Sequence, residues 1–485
     1  MDTPASPTSS KTFRHVLCVY PYRRELNHSG FYPPLGLEFI AATVQPFTER
    51  IEIIDLRRDP GRTVDFLRPE TDLVCFSVNW NRDTAFLQQE IRSVPEGITV
   101  WIGGRHATED PERWLTECSN VTLVARGDGE EIVEELCRAV PFEKVDGISF
   151  RRNGRVQHNR SRELGPPKDD LFPDRQLRRQ KYHVGIEDLA TGLEIDTIAS
   201  SRGCPFNCTF CSFSRNPLGA KRGWSARSPE SVVNELSRIS APLVGFTDDL
   251  FTHDMDRVER ICDLILAKGI RKKYIINARL EIAKRPETLR KMEAAGFAAL
   301  FLGIESTQDR TLRSMRKGFN TATIREHFKV LRDTSMFLHG YFIIGNIGET
   351  ENEMLSIPAF ARELGVDTLG LSALRVSPFS GLEELVAKNP GYHVAHNGKI
   401  YSDQLSVQKL RKIRRAVYRR YYTTRHFLKL LRKSTRNGTF WFLPGLLPYA
   451  PRILWHGMRR WRHRARRHAA RRDRTSPPAN NGDTK

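Results

Sequence analysis

The chain has 485 residues, 39% hydrophobic and 28% charged, with a formal net charge of +20. This length suits two to four domains with ordinary apolar cores. The polar start lacks the apolar stretch of an export signal, no run of about 18 uncharged apolar residues is present to span a bilayer, and eight sparse cysteines do not make a disulfide framework, so a reducing cytoplasm is expected.

Residues 1–11 are expected to be disordered. From 12 to 140, apolar runs at His15–Tyr20, Ile51–Leu56, Leu73–Val78, Thr99–Gly103 and Val121–Ala125 alternate with helical patterns such as Gly36–Val44 and Thr84–Ser93. Short apolar strands alternating with helices predict an α/β domain with a doubly wound, Rossmann-like parallel sheet. Ligands in such folds bind beyond the carboxyl ends of the strands, where this chain places Ser77, Gly103-Gly104 and Gly127-Asp128-Gly129-Glu130. Residues 141–195 read as a linker, with a hairpin signal at Asn153-Gly154 and a charged run at Arg175–Lys181.

Residues 196–390 begin a second alternation. Strands are predicted at Asp196–Ser200, Leu243–Thr247, Tyr274–Ala278, Ala299–Ile304, His339–Gly345 and Thr368–Leu374, with helices between them. Six units predict an open, partial (β/α)6 barrel, whose chemistry would sit at the carboxyl ends of its strands. Residues 391–474 are expected to form a basic helical region, and 475–485 a disordered tail. Arg411 to Arg474 holds twenty-one Lys and Arg against the single acid Asp473, so the rest of the chain is close to neutral.

Three cysteines are clustered. Ser201–Phe213 reads S-R-G-C-P-F-N-C-T-F-C-S-F and places Cys204, Cys208 and Cys211 just after the first strand of the second alternation. Thiolates suit iron–sulfur clusters or zinc. Three can hold three corners of a cubane and leave one iron open, whereas structural zinc needs a fourth ligand. His183 and His253 lack finger-like spacing. The other five cysteines sit singly and read as small buried hydrophobes.

The motif, with Phe210 before its last cysteine, resembles the radical S-adenosylmethionine (SAM) superfamily. The resemblance implies a 4Fe-4S cluster on Cys204, Cys208 and Cys211, with SAM chelated at the open iron. It continues at Asp248-Asp249, where the family contacts the methionyl amine, and at Gly303-Ile304-Glu305-Ser306, like the segment beside the sulfonium and ribose. Gly345 matches the turn near adenine, and Arg279 would face the same cavity. No residue is assigned to the chemistry itself.

The first domain lacks the G-x-G-x-x-G fingerprint at its first turn. Its Pro33-Pro34-Leu35-Gly36-Leu37, Gly103-Gly104-Arg105-His106 and Gly127-Asp128-Gly129-Glu130 resemble the cobalamin-binding domain often fused ahead of radical SAM barrels. This implies cobalamin near Pro34, Gly36, Ser77, Gly103, Gly104, Gly127, Gly129 and Glu130. The Asp-x-His-x-x-Gly signature is absent, so cobalamin is expected without a protein histidine below cobalt, with His106 a loop residue near the corrin edge.

In the basic region, Phe440–Leu443, Tyr449, Trp455 and Trp461 sit among arginines. Interfacial aromatics with basic residues predict peripheral contact with the inner membrane, and nothing resembles an RNA-binding module, which disfavours nucleic acid. The combination resembles the cobalamin-dependent radical SAM methylases, which would methylate an unactivated sp3 carbon using a reductant such as flavodoxin or ferredoxin. Chain order and length look like the hopanoid C-3 methylases, implying a lipid substrate. The alternatives are an anaerobic porphyrin ester cyclase, a natural-product methylase and, in another class, a tRNA-modifying methylthiotransferase, whose three further cluster cysteines have no matching motif here.

Overall fold

The computed structural model describes residues 12–23, 32–81, 83–186, 189–212, 221–376 and 380–439. The expected disordered ends, 1–11 and 475–485, and the aromatic and basic runs from Phe440 onward lie outside the described residues.

Strands β1 (Phe13–Tyr20), β2 (Thr48–Asp55), β3 (Thr71–Ser77), β4 (Thr99–Gly103) and β5 (Leu123–Ala125) form a parallel sheet in the order β2-β1-β3-β4-β5. Helices α1 (Leu35–Val44), α2 (Thr84–Arg92), α3 (Arg105–Glu109), α4 (Pro111–Glu117) and α5 (Glu130–Cys137) connect them. Val16 to Val19 of β1 are all fully buried, the pattern of a strand covered on both faces. Strand order reverses between β1 and β3, so the loops after these strands diverge and open a crevice.

The segment 141–195, expected as a linker, instead completes both sheets. Strands β6 (Ile148–Arg152) and β7 (Arg155–His158) turn on Asn153-Gly154, both with positive φ, and β6 pairs antiparallel with β5. The short edge of β5 is thereby covered. Strand β8 (His183–Ile186) pairs antiparallel with β9 (Leu189–Ile198), which begins the second sheet.

A two-stranded ribbon, β10 (Ser201–Arg202) and β11 (Ser225–Ala226), follows β9. The second sheet continues through β12 (Leu243–Phe246), β13 (Lys273–Ala278), β14 (Phe297–Glu305), β15 (Phe337–Ile344) and β16 (Thr368–Ala373). With β9 these are six parallel strands in chain order, an open curled sheet rather than a closed barrel. Helices α6 (Pro229–Arg238), α7 (Met255–Ala267), α8 (Pro286–Ala295), α9 (Asp309–Ser314), α10 (Thr321–Leu331) and α11 (Glu351–Leu364) lie between the strands. Helix α12 (Leu382–Ala387) and a hairpin, β17 (Tyr392–Val394) and β18 (Ile400–Ser402), lead to α13 (Val407–Tyr421) and α14 (Thr424–Arg436).

The basic helical stretch is two helices, because Thr423 caps a new start by accepting from the His426 N–H. Leu410, Ile413, Val417 and Tyr421 of α13 join the core of the second sheet. The Tyr418 and Tyr422 hydroxyls accept from the Leu371 and Leu369 N–H groups on the edge strand β16.

Each sheet buries its own apolar cluster. A buried charge network links them. Arg178 donates twice to Glu38 of α1, both at 2.7 Å, and twice to Asp196 of β9, at 2.8 and 2.9 Å. Arg175 donates to Asp196 and to Glu235 of α6, both at 2.7 Å. Removing one partner of a buried ion pair costs about 3–5 kcal/mol, because the remaining charge stays desolvated. Arg178→Ala is therefore expected to lose that much unfolding free energy in denaturant titrations. A change below about 1 kcal/mol would show that Glu38 and Asp196 find other partners.

Candidate active site

Ribbon β10–β11 pairs Ser201 with Ala226 and Arg202 with Ser225, so residues 203–224 leave and return at one neck. At that neck Gly203 has a φ of +81°, and a Cβ there would lie 2.3 Å from the Gly223 carbonyl oxygen. Only glycine fits such a crossing. Cys204, Cys208 and Cys211 follow on this loop, all partly buried. Its middle is tied to the segment around α9, since the Thr209 N–H donates to the Met315 carbonyl at 3.1 Å. Burial pushes the Cys204 thiol up, opposed by the Phe206 N–H. Among the described residues no three Cys, His, Asp or Glu side chains converge on one metal position. Three soft donors with no histidine between them fit an iron–sulfur cubane better than zinc.

The other residues singled out in this domain divide by environment. Asp248, expected to face a ligand, is fully buried. Its oxygens accept from the Ser200 N–H at 2.8 Å and from the Ser200 and Ser201 hydroxyls at 2.6 and 2.5 Å, bracing the end of β9. Asp249 accepts from the Gly203 N–H at 2.9 Å and lines a cavity; burial pushes its carboxyl up to about 6. Glu305, with a φ of +70°, meets Lys317 Nζ at 3.2 Å, both buried. A Cβ on Gly303 would lie 2.5 Å from the Glu305 carboxylate, so glycine leaves room for this pair.

Arg279 stacks over Phe206 at 3.7 Å and donates to the Lys317 carbonyl at 2.7 Å, joining the cysteine loop to the Glu305–Lys317 pair. Phe210 packs on the cluster of Met315, Ile343, Leu374 and Leu382. Ser306 is buried and caps its own turn by accepting from the Gln308 N–H at 3.1 Å. Gly345 turns the chain beneath Leu410 of α13.

In the first domain a cavity of about 380 Å³ opens at the carboxyl ends of β3, β4 and β5. Gly36, Ser77, Gly103, Gly104, Gly127, Gly129 and Glu130 line it over an apolar floor of Trp101, Ile102 and Leu123. Gly104 has a φ of +97°, and a Cβ there would lie 2.6 Å from Asn79 Oδ1, so the β4–α3 turn also requires glycine. Pro34 and His106 do not line the cavity. Pro34 precedes α1, and His106 is buried in α3 with its ring edge-on to Trp114 at 5.6 Å. Asp249, Arg202 and Arg222 from the second domain complete the wall. The glycine lining, the apolar floor and the buried Arg105 Nη2 and Arg222 Nε, which have no partner among the described residues, fit a large, flat ligand with polar acceptors at its rim. Cys208 and Cys211 line a second cavity of about 530 Å³ with Lys221, Arg316 and Leu382, so the loop borders both spaces.

The radical SAM superfamily model matches residues 198–361. This segment of the chain is similar to the radical SAM superfamily. It is 27% identical to an uncharacterized methyltransferase of Pyrococcus horikoshii, covering 83% of this chain and 86% of that protein. It is 29% identical to the hopanoid C-3 methylase of Methylococcus capsulatus over 62% of this chain and 59% of that protein. In fold it is similar to the radical SAM methyltransferase TsrM of Kitasatospora setae, solved with cobalamin and a 4Fe-4S cluster. That match has a TM-score of 0.64 at 16% identity, over 79% of this chain and 81% of TsrM.

The radical SAM match runs from the end of β9 into α11 and contains the cysteine loop, Asp249 and the Glu305–Lys317 pair. It takes in the three residues that complete the cavity wall and leaves out the first-domain residues that line the rest. Sequence reasoning did not single out Lys317, Arg202, Arg222 or His339. The two arginines flank the cysteines, and Asp128, quoted in its glycine motif, is their partner; opposite charge was the only available signal.

His339 and Tyr341 occupy alternate positions of β15, on the face away from its buried residues, with ring centroids 4.6 Å apart. The His339 Nδ1 lies 2.7 Å from the Thr368 hydroxyl. Burial lowers its pKa to about 4 from an ordinary 6.5. A histidine kept neutral by folding contributes stability above pH 6.5 that is lost as pH falls toward 4. The drop in melting temperature between pH 7 and pH 4.5 is therefore expected to be smaller in His339→Gln than in the natural protein. Equal drops would show that His339 protonates freely in the folded radical SAM domain.

Proposed function

We propose that this chain is a cobalamin-dependent radical SAM methyltransferase that methylates an unactivated sp3 carbon, and that the substrate is a hopanoid methylated at C-3. One observation carries the reading: Asp249, Arg202 and Arg222, which flank or bind the cysteine loop, also wall the glycine-lined cavity of the first domain. A ligand there and a cluster on the loop would be neighbours. The cofactors, when bound, supply a transferable methyl group and a hydrogen-abstracting radical. In this reading Cys204, Cys208 and Cys211 would hold the cluster, and the apolar floor of Trp101, Ile102 and Leu123 would keep water from the corrinoid. The relative named hopanoid C-3 methylase supports the substrate class. A single-electron reductant such as flavodoxin or ferredoxin completes the system.

The test is lipid mass spectrometry on a hopanoid-making host expressing the chain with cobalamin supplied. A hopanoid heavier by one methylene is expected, absent with Cys208→Ala. An unchanged lipid profile from protein that still cleaves SAM would discard the hopanoid and keep the radical chemistry.

A lipid substrate also requires access to a bilayer. No described helix is long and apolar enough to cross a membrane. Helix α14 presents three faces instead. His426 and Lys433 dock on Asp367. Phe427 and Leu428 are 66% and 60% exposed, with Leu431 beside them. Arg425, Arg432 and Arg436 form a stripe between the two at helical spacing. An apolar face bordered by cations suits an anionic bilayer surface. Phe427→Asp combined with Leu431→Asp is expected to weaken co-sedimentation with anionic liposomes by about tenfold or more, since each buried apolar side chain contributes ~1.5–3 kcal/mol. Unchanged binding would remove α14 from the contact.

A further inference from the structure

Asp128 lies in the Gly127–Glu130 loop, which lines the first-domain cavity. Its carboxylate grips both ends of the cysteine loop. Arg222, near the return strand, donates from Nη1 to Oδ1 at 2.9 Å and from Nη2 to Oδ2 at 2.7 Å. Arg202, just before Gly203, reaches Asp128 Oδ2 at 3.1 Å and also pairs with Glu130. The neck of the loop is thus held from the neighbouring domain by one carboxylate between two guanidinium groups.

Arg222 keeps one donor unspent. Its side chain lines the cavity, and its Nε is buried with no hydrogen-bond partner among the described residues. A buried donor left unpaired costs about 1–3 kcal/mol, which a ligand acceptor would recover. A fork held at both outer nitrogens has its third direction set by the plane of the guanidinium, so it is a rigid donor rather than an adaptable one. Arg105 Nη2, in the same lining and also buried without a partner among the described residues, offers a second donor on the first-domain side.

We infer that Arg222 is a positioning residue joining the two cofactor sites: its Nε donates to a peripheral carbonyl of the corrinoid while its outer nitrogens, through Asp128, hold the neck of the cysteine loop. The inference rests on the cobalamin reading of the cavity. Corrin rings carry amide side chains at their rim, and their carbonyl oxygens are acceptors of the kind both unspent donors require. Binding in the first domain then stiffens the cysteine loop, and an ordered loop in turn strengthens binding, because the coupling is reciprocal. Lysine at 222 would keep the charge facing Asp128 and lose the fork, so it separates geometry from charge.

The experiment titrates full-length natural protein, Arg222→Lys and Asp128→Asn with hydroxocobalamin, following visible absorbance, and measures hydrogen–deuterium exchange over residues 201–212 with and without it. In the natural protein, binding is expected to slow exchange in that segment. Arg222→Lys is expected to raise Kd about tenfold, the value of one charge-assisted hydrogen bond, and to lose the slowing. Asp128→Asn, which leaves the Arg222 Nε in place, is expected to lose the slowing with a smaller change in Kd. Natural Kd and full slowing in both variants would overturn the coupling while leaving the cobalamin reading intact. Failure of the natural protein to bind hydroxocobalamin would overturn the cobalamin reading, and the coupling with it.

Discussion

The two domains of this protein are held together by buried arginines between carboxylates, each drawn from a different part of the chain. Two separate apolar cores could slide or rotate against one another, since apolar contact has no direction. A guanidinium between Glu38 and Asp196 cannot, because its planar fork must meet both carboxylates and each charge is too buried to find water instead. The desolvation cost of such a network offsets much of its Coulomb attraction, so its return is a defined relative orientation more than stability. That orientation places Asp128 of one domain against Arg202 and Arg222 of the other.

The chemistry of the site follows from this alignment. The glycine-lined end of the first sheet faces the neck of a loop carrying three thiols, and residues of both domains share one wall. Adjacent carboxylates take different tasks through environment alone. Asp248, enclosed by Ser200 and Ser201, is a brace. Asp249, one residue on, lines the cavity, and burial pushes its carboxyl up to about 6. Arg279 and Lys317 extend the same economy by tying the cysteine loop, through Phe206, to the positive-φ Glu305.

The carboxyl-terminal helices serve the fold as well as any surface contact. Strand β16 would leave an open edge, and Tyr418 and Tyr422 occupy two of its N–H groups while α13 covers the core below. Helix α14 then rests on Asp367 through His426 and Lys433, which leaves its apolar face turned outward among cations.

The sequence by itself determined the local order: two successive strand–helix alternations, a Cys-x3-Cys-x2-Cys loop directly after a strand, and glycine motifs after strands of the first sheet. These are legible because periodicity, glycine and ligand spacing are properties of neighbouring residues. It also marked the five single cysteines as buried hydrophobes, and all five are buried. Only the tertiary structure decided which side chains face a cavity and which are spent on structure. His106 and Asp248 carry the right chemistry in their motifs, yet one packs on Trp114 and the other braces Ser200. Lys317, Arg222 and the strands hidden in the segment 141–195 acquire their roles from partners far away in the chain. Such pairings are set by how two sheets dock, and no spacing along the sequence encodes them.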